Sequence, residues 1–283
     1  MFDRLSRSWG LVKASASILM QDRSLLIFPL ISGGAVILVM ACFALPLGGM
    51  SALDGLSGGD GRPVSSAHYA VAFLFYLSQY FVIFFCNTAL IGAVMLRLDG
   101  GNPTVGDGLR IAASKFFSIL GYAFVAATVG MILRAIQERV GFVGQLVVSL
   151  LGVGWTLATY LVVPVLAARD VGPLEAITES AALFKTTWGE SVIGQAGLGA
   201  AFGLIYFCML IAGMLLIVMA VKLHSVVLIV MTVIGVIVAV LFAMLIHAAL
   251  TGIYAAALYR YATDTQETQG FDAPALEKAF LPA

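Results

Sequence analysis

Charge is what this chain has least of. Only 11% of its 283 residues are Asp, Glu, Lys or Arg, against about 25% in an ordinary soluble domain, while 61% are hydrophobic. The fifteen basic and fifteen acidic residues cancel to a formal net charge of zero. Neither a basic face for nucleic acid nor an acidic binding surface follows from such a balance. Cysteine is scarce as well. Cys42, Cys86 and Cys208 all fall within apolar runs, without metal-ligand spacing, so they read as small packing residues rather than as a disulfide framework. Catalytic signatures are missing too: the chain has no GxSxG elbow, no HExxH, and no His/Cys/carboxylate cluster at ligand spacing. The three histidines, His68, His224 and His247, sit at depths too different to converge. The glycine-rich stretch 47–66 has no preceding strand and no P-loop lysine. A non-catalytic protein without a cofactor is expected.

What the chain does have is long apolar runs. Crossing a hydrocarbon core takes about 20 helical residues. Runs of that length recur near 24–46, 66–96, 116–137, 144–168, 192–220 and 225–259, and the mean hydropathy of the chain is +1.04. The expected fold is therefore all-α: a polytopic membrane helix bundle of six transmembrane helices, read as one integral membrane domain over 1–283. "VMAC", ending at Cys42, loosely resembles a lipobox, but the region before it is too long and carries both signs of charge. With the N-terminus inside, the inner segments hold Arg4, Arg7, Lys13, Arg23, Arg97, Arg110, Lys115, Arg169, Lys185, Arg260 and Lys278. The other side holds Arg62, Arg134, Arg139 and Lys222. That asymmetry predicts both termini in the cytoplasm. The outer loop 47–66 reads as a mobile Gly/Ser linker, and 262–283 as a cytoplasmic tail in which Asp272 and Pro274 start a short helix bearing Leu276 and Phe280.

Three stretches on the inner side share an apolar spacing of 0, +4, +7, +11: Leu5/Trp9/Val12/Ala16, Leu109/Ala113/Phe116/Leu120 and Ile177/Ala181/Phe184/Trp188. That spacing draws one stripe along a helix. Each stretch precedes a pair of spans, and the first and third also match at Ser8/Ser180, Leu11/Leu183 and Lys13/Lys185. Three units of amphipathic interfacial helix plus hairpin, 3–96, 105–168 and 174–261, are one reading; chance amphipathic spacing is the other. In the first reading Trp9, Lys13, Lys185 and Trp188 anchor the helices in the headgroup region, against membrane lipid.

Within the spans, polar side chains are few. Gln79, Tyr80 and Asn87 lie on the second, and His247 and Thr251 on the sixth; none has an acidic neighbour in the core. An intramembrane imidazole is neutral and needs partners, so Thr251 or the polar groups of the second span are expected to hold His247. Gly235, Ala239, Ala243, His247, Thr251 and Ala255 recur every fourth residue, and Gly199 and Gly203 form a GxxxG. Both predict close helix packing, against another span or a second copy in a homo-oligomer. Arg134 is expected to pair with Glu138 four residues on, and Pro29 and Pro164 to kink the first and fourth spans.

"RLSRSWGLVKASASILMQDRSLLIFPLIS" (4–32) and "ALYRYATDTQETQGFDAPALEKAF" (257–280) resemble the terminal signatures of an uncharacterised family of six-span prokaryotic inner-membrane proteins, a domain of unknown function. The resemblance implies a multi-pass protein of the prokaryotic cytoplasmic membrane and supplies no site residues. Two functions fit these readings. The first is a scaffold or auxiliary subunit that binds a membrane-protein partner or organises lipid. The second is a transporter or channel for a small apolar or lipid-like substrate, lined by Gln79, Tyr80, Asn87 and His247.

Overall fold

The computed structural model describes residues 2–56 and 66–267, and every regular element among them is helical. In chain order these are α1 (Phe2–Gln21), a 3-10 turn (Arg23–Leu26), α2 (Ile27–Leu56), α3 (Ser66–Leu98), α4 (Val105–Ser114), α5 (Phe116–Gln137), α6 (Phe142–Ala158), α7 (Val162–Ala168), α8 (Pro173–Lys222) and α9 (Val226–Glu267). Six stretches are long and apolar enough to cross a membrane: Arg23–Pro46, Tyr69–Leu98, Phe116–Gln137, Phe142–Ala168, Ser191–Lys222 and Val226–Thr263. These coincide with the six runs read from the sequence.

Two expectations are corrected. The glycine-rich stretch after Pro46 continues as helix to Leu56 rather than starting as a loop at 47, because Leu47, Met50, Ala52 and Leu53 favour helix enough to carry Gly48 and Gly49. Pro29 does not kink the first span. It falls in the first turn of α2, where a missing N–H costs nothing. Pro164 does break the fourth span, into α6 and α7. The tail residues Asp272, Pro274, Leu276 and Phe280 lie outside the described residues.

Contacts divide the chain into two compact units, Ile27–Thr186 and Met1–Leu26 with Thr187–Ala283. α8 bends where they divide, at Thr187 (φ −114°, ψ 16°). In the first unit α3 is the central helix, packing on α2, α4, α5 and α7. Its aromatic residues supply much of the contact: Phe75 meets Phe43 of α2 at 5.6 Å, and Phe84 meets Tyr122 of α5 at 4.5 Å between ring centroids. α4 is started by a capping box, in which Thr104 accepts from the Asp107 backbone N–H and the Asp107 carboxylate accepts from that of Thr104. It lies close against α3, because a Cβ at Gly108 would come within 2.5 Å of the Ala89 carbonyl and 2.7 Å of the Phe28 ring.

In the second unit α1 packs on α9, with Ser15, Ile18 and Leu19 buried. The two long helices form an antiparallel hairpin joined at Leu223–Ser225, where His224 takes a left-handed conformation (φ 51°). The covered positions along α8 are Leu198, Phe202, Tyr206, Met209, Gly213, Ile217 and Ala220, and along α9 Ile229, Thr232, Val236, Val240, Ala243 and His247. Alternating steps of three and four of this kind make one narrow seam per helix. Outside the seam most side chains of the hairpin are apolar and exposed.

In the three short stretches the residues buried within the protein lie beside the apolar stripe, of which the Leu5 and Trp9 side chains fall outside the described ones. The packed side lies one residue earlier: Gly108, Ala112 and Ile119 around α4, Ala176, Ser180, Leu183 and Thr187 in α8, and Ser15 in α1. These residues are mostly smaller, and small residues let backbones close up. The expected stripe flanks this seam, with Ala113, Phe116 and Trp188 exposed.

Candidate functional site

The first unit holds a buried polar cluster around the broken span. Pro164 has no N–H for the Tyr160 carbonyl and its ring crowds that carbonyl, so the helix opens over Thr159–Leu161. Backbone groups freed inside an apolar core need replacement partners. Ser180, fully buried on α8, supplies two: its Oγ accepts from the Leu161 N–H at 3.0 Å and donates to the Ala158 carbonyl at 2.7 Å. Thr159 Oγ1 donates to the Trp155 carbonyl at 2.8 Å, and so accepts from the hydroxyl of Tyr122, which is itself buried. Around it Leu161, Val162, Val165 and Leu166 are fully buried. The cluster consists of neutral hydroxyls satisfying backbone; it is equipped to hold a bent helix, not to move charge.

The polar residues of α3 point in different directions. Tyr80 faces α5, its hydroxyl 3.3 Å from where a Cβ at Gly130 would stand. Gln79 is buried, and neither Oε1 nor Nε2 has a hydrogen-bond partner. Asn87 is half-buried, one turn beyond the Phe84 carbonyl that accepts from Thr88.

His247 belongs to the second unit. Its ring stacks on Phe202 (4.4 Å between centroids, 7° between planes), and Nδ1 lies 3.4 Å from the Tyr206 hydroxyl. Thr251 does not bond the imidazole. Its hydroxyl donates to the His247 carbonyl at 2.9 Å, the usual way a helical threonine disposes of its proton. The structure therefore gives His247 a partner on the fifth span, where Thr251 or the second span was expected. The hairpin register explains the miss: Phe202 opposite His247 is the pairing of Gly213 with Val236 continued, and no spacing within one helix reveals it.

The small-residue positions also divide. Ala243 is buried, Ala239 is exposed, and a Cβ at Gly199, Gly203 or Gly235 would meet no atom within 4 Å. Close approach falls instead at Gly213, where a Cβ would stand 2.8 Å from the Val236 side chain, and at Gly194, where one would stand 1.9 Å from the Tyr254 hydroxyl. Gly199 and Gly203 thus lie on an open face of α8 together with exposed Gln195, four residues before Gly199. Of the anchoring residues, Lys13, Lys185 and Trp188 are exposed; the Trp9 side chain lies outside the described ones. Arg134 pairs with Glu138 at 3.0 Å, as their spacing predicts, and also bonds the Tyr76 hydroxyl. Among the described residues no three His, Cys, Asp or Glu side chains gather to hold a metal ion.

Residues 66–271 match the model of a protein family described only as being of unknown function. The match takes in most of the chain, including part of the C-terminal stretch whose resemblance was noted, and leaves 4–32 outside. No curated protein and no solved structure matches.

Proposed function

From the premise that the chain belongs to the DUF6159 family of unknown function, we infer a non-catalytic multi-pass membrane protein that works by association. It sits in a prokaryotic inner membrane with both termini in the cytoplasm, and serves as a scaffold or auxiliary subunit for another membrane polypeptide. One observation carries the reading: the hairpin of α8 and α9 presents Gln195, Gly199 and Gly203 in line on an exposed, otherwise apolar helix face. Lipid gains nothing from a glycine groove, whereas a facing helix gains close backbone contact, and a carboxamide on that face gains a hydrogen-bonding partner. The short helices α1, α4 and the start of α8 add exposed Lys13, Arg110 and Lys185 at the headgroup level, where they hold anionic lipid.

Exchanging Gly199 and Gly203 together for Ile tests this. The paired variant is expected to insert and fold as the parent does but to lose its partner in pull-downs from mild detergent; full retention of the partner contradicts the reading. Trp9→Glu with Trp188→Glu is expected to release lipid-dependent partners while the spans still insert.

A transporter for a lipid-like substrate is the second reading, favoured by the buried break in the fourth span, since discontinuous helices accompany intramembrane binding sites in carriers. Flux of such a substrate into liposomes, reduced by Pro164→Ala, is its signature.

A further inference from the structure

We propose that Gln79 is the recognition group of a ligand site between α2 and α3, and that its ligand is a neutral amphiphile, a protonated long-chain carboxylic acid. The inference goes beyond the association reading and does not depend on it. Gln79 is nine-tenths buried, and both ends of its carboxamide lack a partner. A polar group in that condition inside a membrane span is costly enough that it is kept for a reason.

Its direction follows from the packing of α2 on α3. Phe75 meets Phe43, and Cys86 hydrogen-bonds Ser32. Gln79 lies four residues after Phe75 and seven before Cys86, so it shares their face. The antiparallel register fixed by those two pairs sets Gln79 opposite Val39. From Gly33 to Pro46, α2 carries one side-chain hydrogen-bond donor, Cys42, and it is exposed. The wall that faces the amide is therefore apolar.

The amide dictates the chemistry of what fits. Oε1 accepts and Nε2 donates side by side, and a carboxylic acid answers with O–H to Oε1 and C=O from Nε2, closing a two-bond pair. An anion leaves its second oxygen unpaired and bears an uncompensated charge, so burial selects the neutral acid. Gln79 is ten residues into the 30-residue span that starts at Tyr69, about 15 Å along the helix, and about one turn further in than Tyr76, whose hydroxyl meets Arg134. Val39, Phe43, Phe75 and Val82 offer an apolar bed for the acid's chain, and α2 exposes Ile37, Leu38 and Met40 on its other side, so entry is lateral from lipid.

The probe is palmitic acid labelled with carbon-13 at the carboxyl group, added to the full-length protein in lipid nanodiscs and followed by NMR from about pH 6 to about pH 9, the range over which bilayer-dissolved acid ionises. The expected result is a carboxyl resonance, one equivalent per chain, that does not move with pH. Gln79→Leu keeps the volume and the fold, verified by unchanged helicity and a monodisperse profile, and weakens binding at least about tenfold. Val39→Asn gives the amide a partner within the chain; it is expected to raise the melting temperature and also to abolish the fixed resonance. If all the label titrates as in protein-free discs, or if the fixed resonance survives both substitutions, the proposal is wrong.

Discussion

Gly194 is the residue on which the second unit depends most sharply. A methyl group there collides with the Tyr254 hydroxyl and ring, so Gly194→Ala is expected to destabilise by roughly 1–3 kcal/mol. The same change at Gly199 meets open space and is expected to stay within about 0.5 kcal/mol, both measured as unfolding midpoints in detergent. His247 contributes chiefly through its face on Phe202: His247→Ala is expected to cost about 1 kcal/mol more than His247→Phe, which keeps the stack. If Ala and Phe prove equal, the Tyr206 contact carries the residue instead. Asp107 gives a pH signature. Hydrogen bonds from the Thr104 side chain and backbone, with Arg110 nearby, hold its carboxyl below the usual range. Its contribution to capping α4 is thus fully present above the unfolded value of about 4 and is lost as pH falls through the lower, folded value. Amide protection at the start of α4 should follow that course in the parent and become independent of acid pH in Asp107→Asn.

Among the elements, the broken fourth span makes the clearest test. Ser180→Ala leaves the Leu161 N–H and Ala158 carbonyl buried and unbonded, at a cost of roughly 2–4 kcal/mol. Pro164→Ala returns an N–H to the Tyr160 carbonyl and lets the helix close, so the serine change should cost markedly less in that background; additivity in the double-mutant cycle refutes the link. The break was readable from Pro164, because a ring inside a helix always removes a bond. Its repair was not: Ser180 stood out only as a match to Ser8, and the partner lies some twenty residues away across a turn. The short helices teach a related lesson. Their periodicity located them, yet apolar spacing marks the larger side chains, whereas the packed seam runs through their smaller neighbours Gly108, Ala112, Ala176 and Ser180.

At the scale of the whole molecule, six spans were legible because lipid forbids charge over about 20 residues and so writes itself into the sequence. The pairing of those spans was not legible, since a small-residue stripe says that something approaches closely without naming it. Gly213 and Gly194 turned out to serve the hairpin itself, leaving Gly199 and Gly203 uncovered. On the association reading, the uncovered face of α8 receives another polypeptide. Native mass spectrometry of the protein released from mild detergent tests it directly, with Gly203→Ile as the comparison. A stoichiometric second chain, foreign or identical, is expected on the parent and is expected to be lost from the variant. A parent that flies as a bare monomer, or a second chain that stays on Gly203→Ile, contradicts it.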